Sequence, residues 1–388
     1  MTSVFQRRIL RPLHCDENLR PRIPGRIILS DHLSVSGSSV RTILARTLGR
    51  VPLLADFTTL RLGGPVRRLV VAEDEAAIVA AVRAADAAAE PLLVLAGGSN
   101  LVVADAGFPG TVLRIASHGV RADGDRLTVA AGETWDPFVA DCVAAGRAGV
   151  ECLSGIPGSV GATPIQNVGA YGQEVSDTVV GVRALDTRTG EIVTFAAADC
   201  GFAYRDSMFK RENPGRFVVL AVTYRLRPGG APTLSYGDVK RALTDASAPT
   251  LADTRTAVLR IRRGKSMTLD QPGDANRRSC GSFFLNPIVD AAQAEAVTAR
   301  AGDPTMPRWP QPDGRVKLSA AWLIERAGLT RGERTGAVGL STRHTLAIVA
   351  HDGARTADVL AFARGVQARV EQRFGVRLSP EPVFWGAD

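Results

Sequence analysis

Apolar positions along the chain alternate between two periods, close to two over short runs and close to 3.6 over longer ones, which predicts a protein built from both strands and helices. The runs RLVVA at 68–72, PLLVLA at 91–96, LVV from Leu101 and TVLRI from Thr111 read as strands, PLLVLA as a buried one. Between the first two, EDEAAIVAAVRAADAA from Glu73 places its apolar residues at helical spacing. These elements make a compact α+β unit ending near Ser117. A second unit follows: RLTVAAG from Arg126, a helix over about 134–145, VVGVRALD from Val179, EIVTF from Glu191 across a TRTG turn, and a strong strand at 217–227. A helix over 251–263 then leads to a polar linker at 267–280. Beyond it lie GSFFLNP from Gly281, a helix from Leu318 ended by Gly328, a strand from Thr345, and a helix from Thr356 ended by Gly375. The segment at 376–385 reads as an edge strand broken by prolines. The pattern divides the chain at 53–117, 118–265 and 266–375.

Composition bounds this picture. With 388 residues, 45% hydrophobic and 22% charged, the chain has ordinary globular composition and room for two or three domains. The net charge of +8 invites a nucleic-acid reading, but residues 1–52 hold nine arginines against Asp16, Glu17 and Asp31, leaving only +2 for the rest. The basicity therefore belongs to an N-terminal arm, expected to be disordered in whole or in part. Only Lys210, Lys240, Lys265 and Lys317 are lysines, a bias of coding more than of function. No apolar run approaches the roughly eighteen residues a membrane helix needs, and no secretory signal opens the chain, so a cytoplasmic location is expected. The cysteines, Cys15, Cys142, Cys152, Cys200 and Cys280, form no C-x-x-C pair, and the five histidines show no ligand spacing, so neither disulfides nor a metal site is expected.

Two glycine-bearing segments carry the chemistry. GIPGSVGATPIQNVGAYG, residues 155–172, packs five glycines and two prolines into eighteen uncharged residues. Such a backbone can lie against an anion through its N–H groups; a set of tight turns in a β-rich domain is the alternative. GGSN, residues 97–100, follows PLLVLA directly, but a strand and not a helix comes next, which excludes the usual G-x-G-x-x-G dinucleotide fold. Two such loops in adjacent α+β units are what one elongated cofactor lying between them requires.

Together, LAGGSNLV from Leu95, IPGSVGATPIQNVGAYGQE from Ile156, YRDSMFK from Tyr204, GSFFLNP from Gly281 and PEPV from Pro380 resemble the UDP-N-acetylenolpyruvoylglucosamine reductase family in order and approximate spacing, over roughly residues 57–386. The resemblance implies an α+β fold with a two-domain FAD-binding unit of the vanillyl-alcohol-oxidase type and a third, α+β substrate-binding domain, with 376–388 returning near the active site. It implies non-covalent FAD, NADPH as hydride donor, a nucleotide-sugar enolpyruvate as substrate, and a monomer. For FAD it implies Ala96, Gly97, Gly98, Ser99, Asn100 and Leu101 in the first loop. In the second it implies Gly155, Ile156, Pro157, Gly158, Ser159, Gly161, Ala162, Asn167, Gly169, Ala170 and Tyr171.

For the reaction the resemblance implies Arg205 at the substrate carboxylate, Ser282 as general acid and Glu381 stabilising an enolic intermediate. Tyr204, Tyr236, Lys265, Asn286 and Gln311 are implied as substrate contacts, and Tyr236 with GSFF marks the family's longer subtype. The chain departs from the family pattern at Leu285, usually basic, and at Pro382 and Trp385; the arm has no counterpart in the family core. Two rival readings stay open. A flavin oxidase of the same cofactor fold often tethers its flavin through histidine or cysteine, yet no histidine lies between His32 and His118. A polyanion binder acting through the arm would lose its ligand with rising salt.

Overall fold

A computed structural model describes residues 40–44, 51–244 and 246–386. Most of the basic arm lies outside the described residues; its residues 40–44 form a strand, Val40–Leu44, antiparallel to Val66–Ala72. Val66–Ala72 in turn runs parallel to Phe108–Ile115, and Leu92–Leu95 lies parallel to Phe108–Ile115 at the far side. That edge position corrects the expectation of a buried strand: Leu95 is buried, but Val94 is 37% exposed. The helix starts at Glu75, two residues later than the apolar spacing begins, because Asp74 caps it by accepting from Ala77 N at 2.7 Å. It buries Ala77, Ile78, Ala81, Val82 and Ala85, its i, i+3, i+4 stripe.

The second unit is a five-stranded antiparallel sheet in the order Ile192–Ala196, Val179–Asp186, Phe217–Arg225, Arg126–Ala130, Val120–Asp123. Its central strand buries Val218, Val219, Leu220, Val222 and Tyr224. Tyr224 is fully buried, stacks at a tilt on Trp135 and Phe138, and shares a 2.7 Å hydrogen bond with Thr163, which anchors the second glycine segment to the sheet. The helices Trp135–Ala144 and Leu251–Gly264 are joined by a two-pronged Arg255–Asp136 pair, 2.6 and 3.0 Å.

The third unit has its own core, including Phe283, Phe284, Leu323, Ile324, Ile348, Val359, Val366 and Phe374. Each such side chain, fully withdrawn from water, contributes about 1.5–3 kcal/mol before entropy is counted. The long helix is Thr356–Phe374, ended by Gly375 in the left-handed region. The strand expected from Thr345 begins only at Ile348, since residues 344–347 close a turn in which Ala347 N donates to His344 O. A helix at Ala291–Ala301, absent from the sequence reading, is capped by Asp290.

The C-terminal strand Val383–Trp385 runs parallel to Leu101–Val103, and Trp385 joins the core of the first unit. Its partner therefore lies in the first unit, directly after the first glycine loop. This return brings residues 379–381 between the third unit and both loops. Among the described residues, no helix is long and apolar enough to cross a membrane, and no cluster of potential metal ligands occurs.

Candidate active site

The two glycine segments touch. A Cβ on Gly97 would stand 2.6 Å from Gly158 Cα, and one on Gly98, at φ +65°, would stand 1.8 Å from Phe57 O. Only glycine fits at either place. Ser99 Oγ donates to Pro157 O at 3.0 Å, and Asn100 Nδ2 donates to Gln166 Oε1 at 2.8 Å, stitching one loop to the other. The second loop is fixed from behind: Gly155 N donates to Asp136 Oδ1 at 2.6 Å, and Trp135 N donates to Gly158 O at 3.0 Å. Asp136 stays below the usual carboxylate range: burial alone would raise it, but Arg255, the Gly155 N–H and the Arg262 charge outweigh burial.

A cleft of about 300 Å³ opens beside the loops, lined by Phe57, Thr59, Gly97, Arg61, Arg114 and Arg277 among others. Three arginines in one cleft suit an anionic ligand. A larger groove, about 550 Å³, lies over Ala327, Arg369, Gln372 and Arg373 and contains none of the motif residues. Inside the second loop, Ser159 Oγ is buried and has no hydrogen-bond partner in the protein. Beside Gly155, Arg262 is only 9% exposed; it donates to Met267 O at 2.8 Å and its charge faces Tyr171, while its Nε is unpartnered. Buried donors without partners are costly unless a ligand supplies the acceptor. Apposed glycines, orphaned donors and a cationic cleft together fit an elongated, phosphate-bearing cofactor.

At the mouth of these loops lies a charged cluster. Arg205 is held in the left-handed region at φ +55°, its Nη2 donates to Gly169 O at 2.5 Å, and its Nε lies 3.3 Å from Glu381 Oε1. The two side chains are only 20% and 15% exposed. Burial raises the Glu381 carboxyl above its ordinary range, against the pull of Arg205 and Lys210. Ser282 lies in the strand-like segment that brings Glu381 here: Glu381 N donates to Phe283 O at 2.9 Å, and Leu285 N donates to Ser379 O at 2.9 Å. Ser282 and Glu381 thus sit on adjoining backbones. Cys280, two residues away, is buried and its thiol is pushed up to about 12 by desolvation, which leaves it inert as a nucleophile.

The expected substrate contacts divide. Tyr204 stacks under Arg205, with 5.3 Å from guanidinium to ring, and Asn286 Oδ1 accepts from Ala320 N at 2.9 Å. Tyr236 is 41% exposed, stands edge-on to Tyr171 at 5.4 Å, and precedes the short helix Gly237–Ala242. Lys265 pairs with Asp238 at 3.3 Å and lies 5.9 Å from the Tyr171 ring. Gln311 is turned onto its own hairpin, donating to Trp309 O and Pro310 O. From that same hairpin Lys317, which the sequence reading passed over, reaches the cluster, 4.6 Å from the Tyr204 ring. Burial lowers the Lys317 ammonium, with Glu174 opposing the shift. Glu174 and Arg262 were likewise passed over, since an isolated charge gives no periodic signal. The Asn167 side chain is spent inside the protein: Nδ2 donates to Glu174 at 2.7 Å and Ala203 O at 3.1 Å, and Oδ1 accepts from Ser176 N at 3.1 Å.

Residues 66–196 match the family model of an FAD binding domain. Fold and site therefore define an α+β flavoprotein whose touching glycine loops open onto a largely buried arginine–carboxylate pair. Residues 271–385 match the model described as UDP-N-acetylenolpyruvoylglucosamine reductase, C-terminal domain. The chain is 52% identical over 346 residues to the UDP-N-acetylenolpyruvoylglucosamine reductase of Saccharopolyspora erythraea, covering 85% of this chain and 94% of that protein. It is 50% identical over 371 residues to that of Streptomyces coelicolor, covering 93% and 96%. The crystal structure of the corresponding reductase from Thermus caldophilus superposes with a TM-score of 0.60 at 26% identity, covering 90% of this chain and 99% of that one. The chain belongs to the UDP-N-acetylenolpyruvoylglucosamine reductase family.

Proposed function

We propose that this protein reduces the enolpyruvyl group of UDP-N-acetylglucosamine enolpyruvate to the lactyl group of UDP-N-acetylmuramate, using NADPH through non-covalently held FAD, in peptidoglycan precursor synthesis. The observation that carries the reading is the Arg205–Glu381 pair, 3.3 Å apart and largely buried where two touching glycine loops end. The bound flavin supplies the hydride relay between the nicotinamide and the vinyl group. The loop residues 96–101 and 155–162, with Ser159 Oγ and the cationic cleft, hold it; no residue of the first loop is a histidine or cysteine that would tether it.

The chain's own residues handle charge and protons. Hydride addition at the terminal carbon leaves negative charge on the adjacent carbon and its carboxylate, which Arg205 stabilises as a planar, permanently charged donor. Glu381, its carboxyl raised by burial, faces the same charge. Ser282 Oγ donates the proton to the carbon beside the carboxylate, and Lys317 with Lys210 adds positive field that makes this hydroxyl a better donor. Tyr236 and Lys265 grip the diphosphate, Tyr204 and Asn286 line the sugar side, and Gln311 borders the nucleotide end. Domain limits at 53–117, 118–265 and 266–375 divide cofactor and substrate binding; the protein acts as a monomer in the cytoplasm.

Anaerobic absorbance tests the reading. NADPH bleaches the yellow flavin band, and colour returns only when the enolpyruvyl nucleotide sugar is added. A colourless protein that binds no FAD sinks the proposal, and flavin that stays reduced in the presence of this substrate moves the function to another acceptor. Denaturant releases all of the flavin if it is held without a covalent bond.

A further inference from the structure

Arg205 sits in a backbone conformation that an arginine does not choose, so something must hold it there. Gly169 O and Glu381 take two of its nitrogens. On the remaining side stands Glu174: a Cβ on Gly169 would lie 2.7 Å from Glu174 Cγ and 3.1 Å from Arg205 Nη1, so the two side chains pass over the same glycine. Glu174 is itself fixed. Its Oε2 accepts from Asn167 Nδ2 at 2.7 Å, and its backbone N donates to Asp177 Oδ2 at 2.9 Å. That same Asn167 Nδ2 donates to Ala203 O, in the two-residue bridge Ala203–Asp206 that forms the turn bearing Arg205.

We propose that Glu174 is a positioning residue for the reaction: its carboxylate holds the Arg205 turn through Asn167 and steadies the nearby guanidinium by its charge, and it keeps Arg205 and Lys317 together despite their like charges. The inference rests on the reading of Arg205 as the grip on the substrate carboxylate. Without Glu174 the two cations repel, and the guanidinium is drawn further onto Glu381, which already lies 3.3 Å from it. Half-burial raises the Glu174 carboxyl, while Arg205 and the Asn167 amide favour its charged form. Glu174 touches no reacting atom in this scheme.

The test compares two ligands of the FAD-loaded enzyme that differ by the lactyl carboxylate: UDP-N-acetylmuramate, which carries it, and UDP-N-acetylglucosamine, which does not. The ratio of their affinities isolates the carboxylate grip. Glu174→Gln keeps the shape and an acceptor for Asn167 but removes the charge, and it is expected to cut that ratio about tenfold, one misaligned charge-assisted contact, while UDP-N-acetylglucosamine binds as before. Glu174→Asp restores the charge and is expected to recover part of the ratio. An unchanged or larger ratio in Glu174→Gln overturns the inference, as does equal weakening of both ligands or a Glu174→Asp no better than Glu174→Gln. A wild-type enzyme that fails to prefer the carboxylate-bearing ligand overturns the reading of Arg205 itself, a result distinct from all of these.

Discussion

The closeness of the two glycine loops can be tested by one methyl group. Gly97 has ordinary backbone angles, so Gly97→Ala adds no conformational strain; its only effect is a Cβ placed 2.6 Å from Gly158 Cα and 3.0 Å from Gly158 C. Ordinary contact begins near 3.4 Å, so the loops must part by about 0.8 Å. Overpacking of this kind costs about 1–3 kcal/mol. In the empty protein the loops relieve part of that by moving apart. With FAD bound they must close on it, so most of the cost falls on the complex, and FAD affinity is expected to drop about 5- to 150-fold. Flavin fluorescence recovered on dilution of the holoenzyme measures it. Gly365→Ala is the matched control: it lies inside Thr356–Phe374 with no atom within 4 Å of the added methyl, so it should stabilise the fold by about 1 kcal/mol and leave FAD binding alone. A Gly97→Ala protein that holds FAD within twofold of wild type would refute the idea that one ligand spans both loops.

Other outcomes follow from the same geometry. Arg205→Lys forfeits the bond to Gly169 O and the planar fork, and kcat/KM should fall by about 10²-fold or more in steady-state assays. Arg205→Gly loses the same activity yet melts no lower than Arg205→Lys, because glycine accepts φ +55° without strain. Because burial raises the Glu381 carboxyl in the folded state, its contribution to stability is full below its unfolded pKa and is lost as pH rises through the folded one; urea titrations of wild type against Glu381→Gln should therefore shift in favour of the variant as pH rises above the ordinary carboxylate range. Asp136 has the opposite sign, its folded pKa being depressed, so its stabilisation is present above the unfolded value and fades on acidification. Asp136→Asn keeps an acceptor for Gly155 N but loses the charge that pairs with Arg255, and should cost about 1–2 kcal/mol at neutral pH after allowance for partial exposure.

Elements with a clean period and clear stops were legible in the sequence, as with Thr356–Phe374 closed by Gly375 and the Val218–Tyr224 run of the central strand. Ala291–Ala301 was not, because only Ala294 and Val297 are buried and so narrow a stripe in alanine gives almost no amphipathic signal. PLLVLA misled for the opposite reason: its apolar run suits a buried strand, yet pairing leaves Leu92–Leu95 at a sheet edge. The partner of Val383–Trp385 lies some 280 residues back at Leu101–Val103, and no local rule specifies pairing at that range. Within the candidate site, Arg205, Ser282 and Glu381 are marked in the sequence by motif order. Lys317 and Glu174 carry no such mark, and what distinguishes them is burial among opposite charges, which only the folded chain supplies.

Three of the six non-glycine residues with positive φ among the described residues gather at the candidate site. Asn167, Tyr171 and Arg205 all have positive φ, at +44°, +49° and +55°, and none is glycine. Each such residue costs of order 1 kcal/mol, and selection for stability alone would remove them. All three are instead bound into a single arrangement: Asn167 ties the Arg205 turn to the glycine loop, Arg205 bonds Gly169 O, and Tyr171 stands between Tyr236, Lys265 and Arg262. Relaxing any one of them to a β conformation would swing its side chain out of the cluster. The strain is thus the means by which a short, uncharged loop and the neighbouring Arg205 turn present a tyrosine, an arginine and a row of backbone groups together. Replacing Asn167 by glycine, which keeps the backbone and deletes the amide, should therefore leave the fold intact while freeing the turn that carries Arg205. Loss of carboxylate selectivity without loss of FAD is the expected result, and loss of FAD with selectivity retained would assign Asn167 to the cofactor instead.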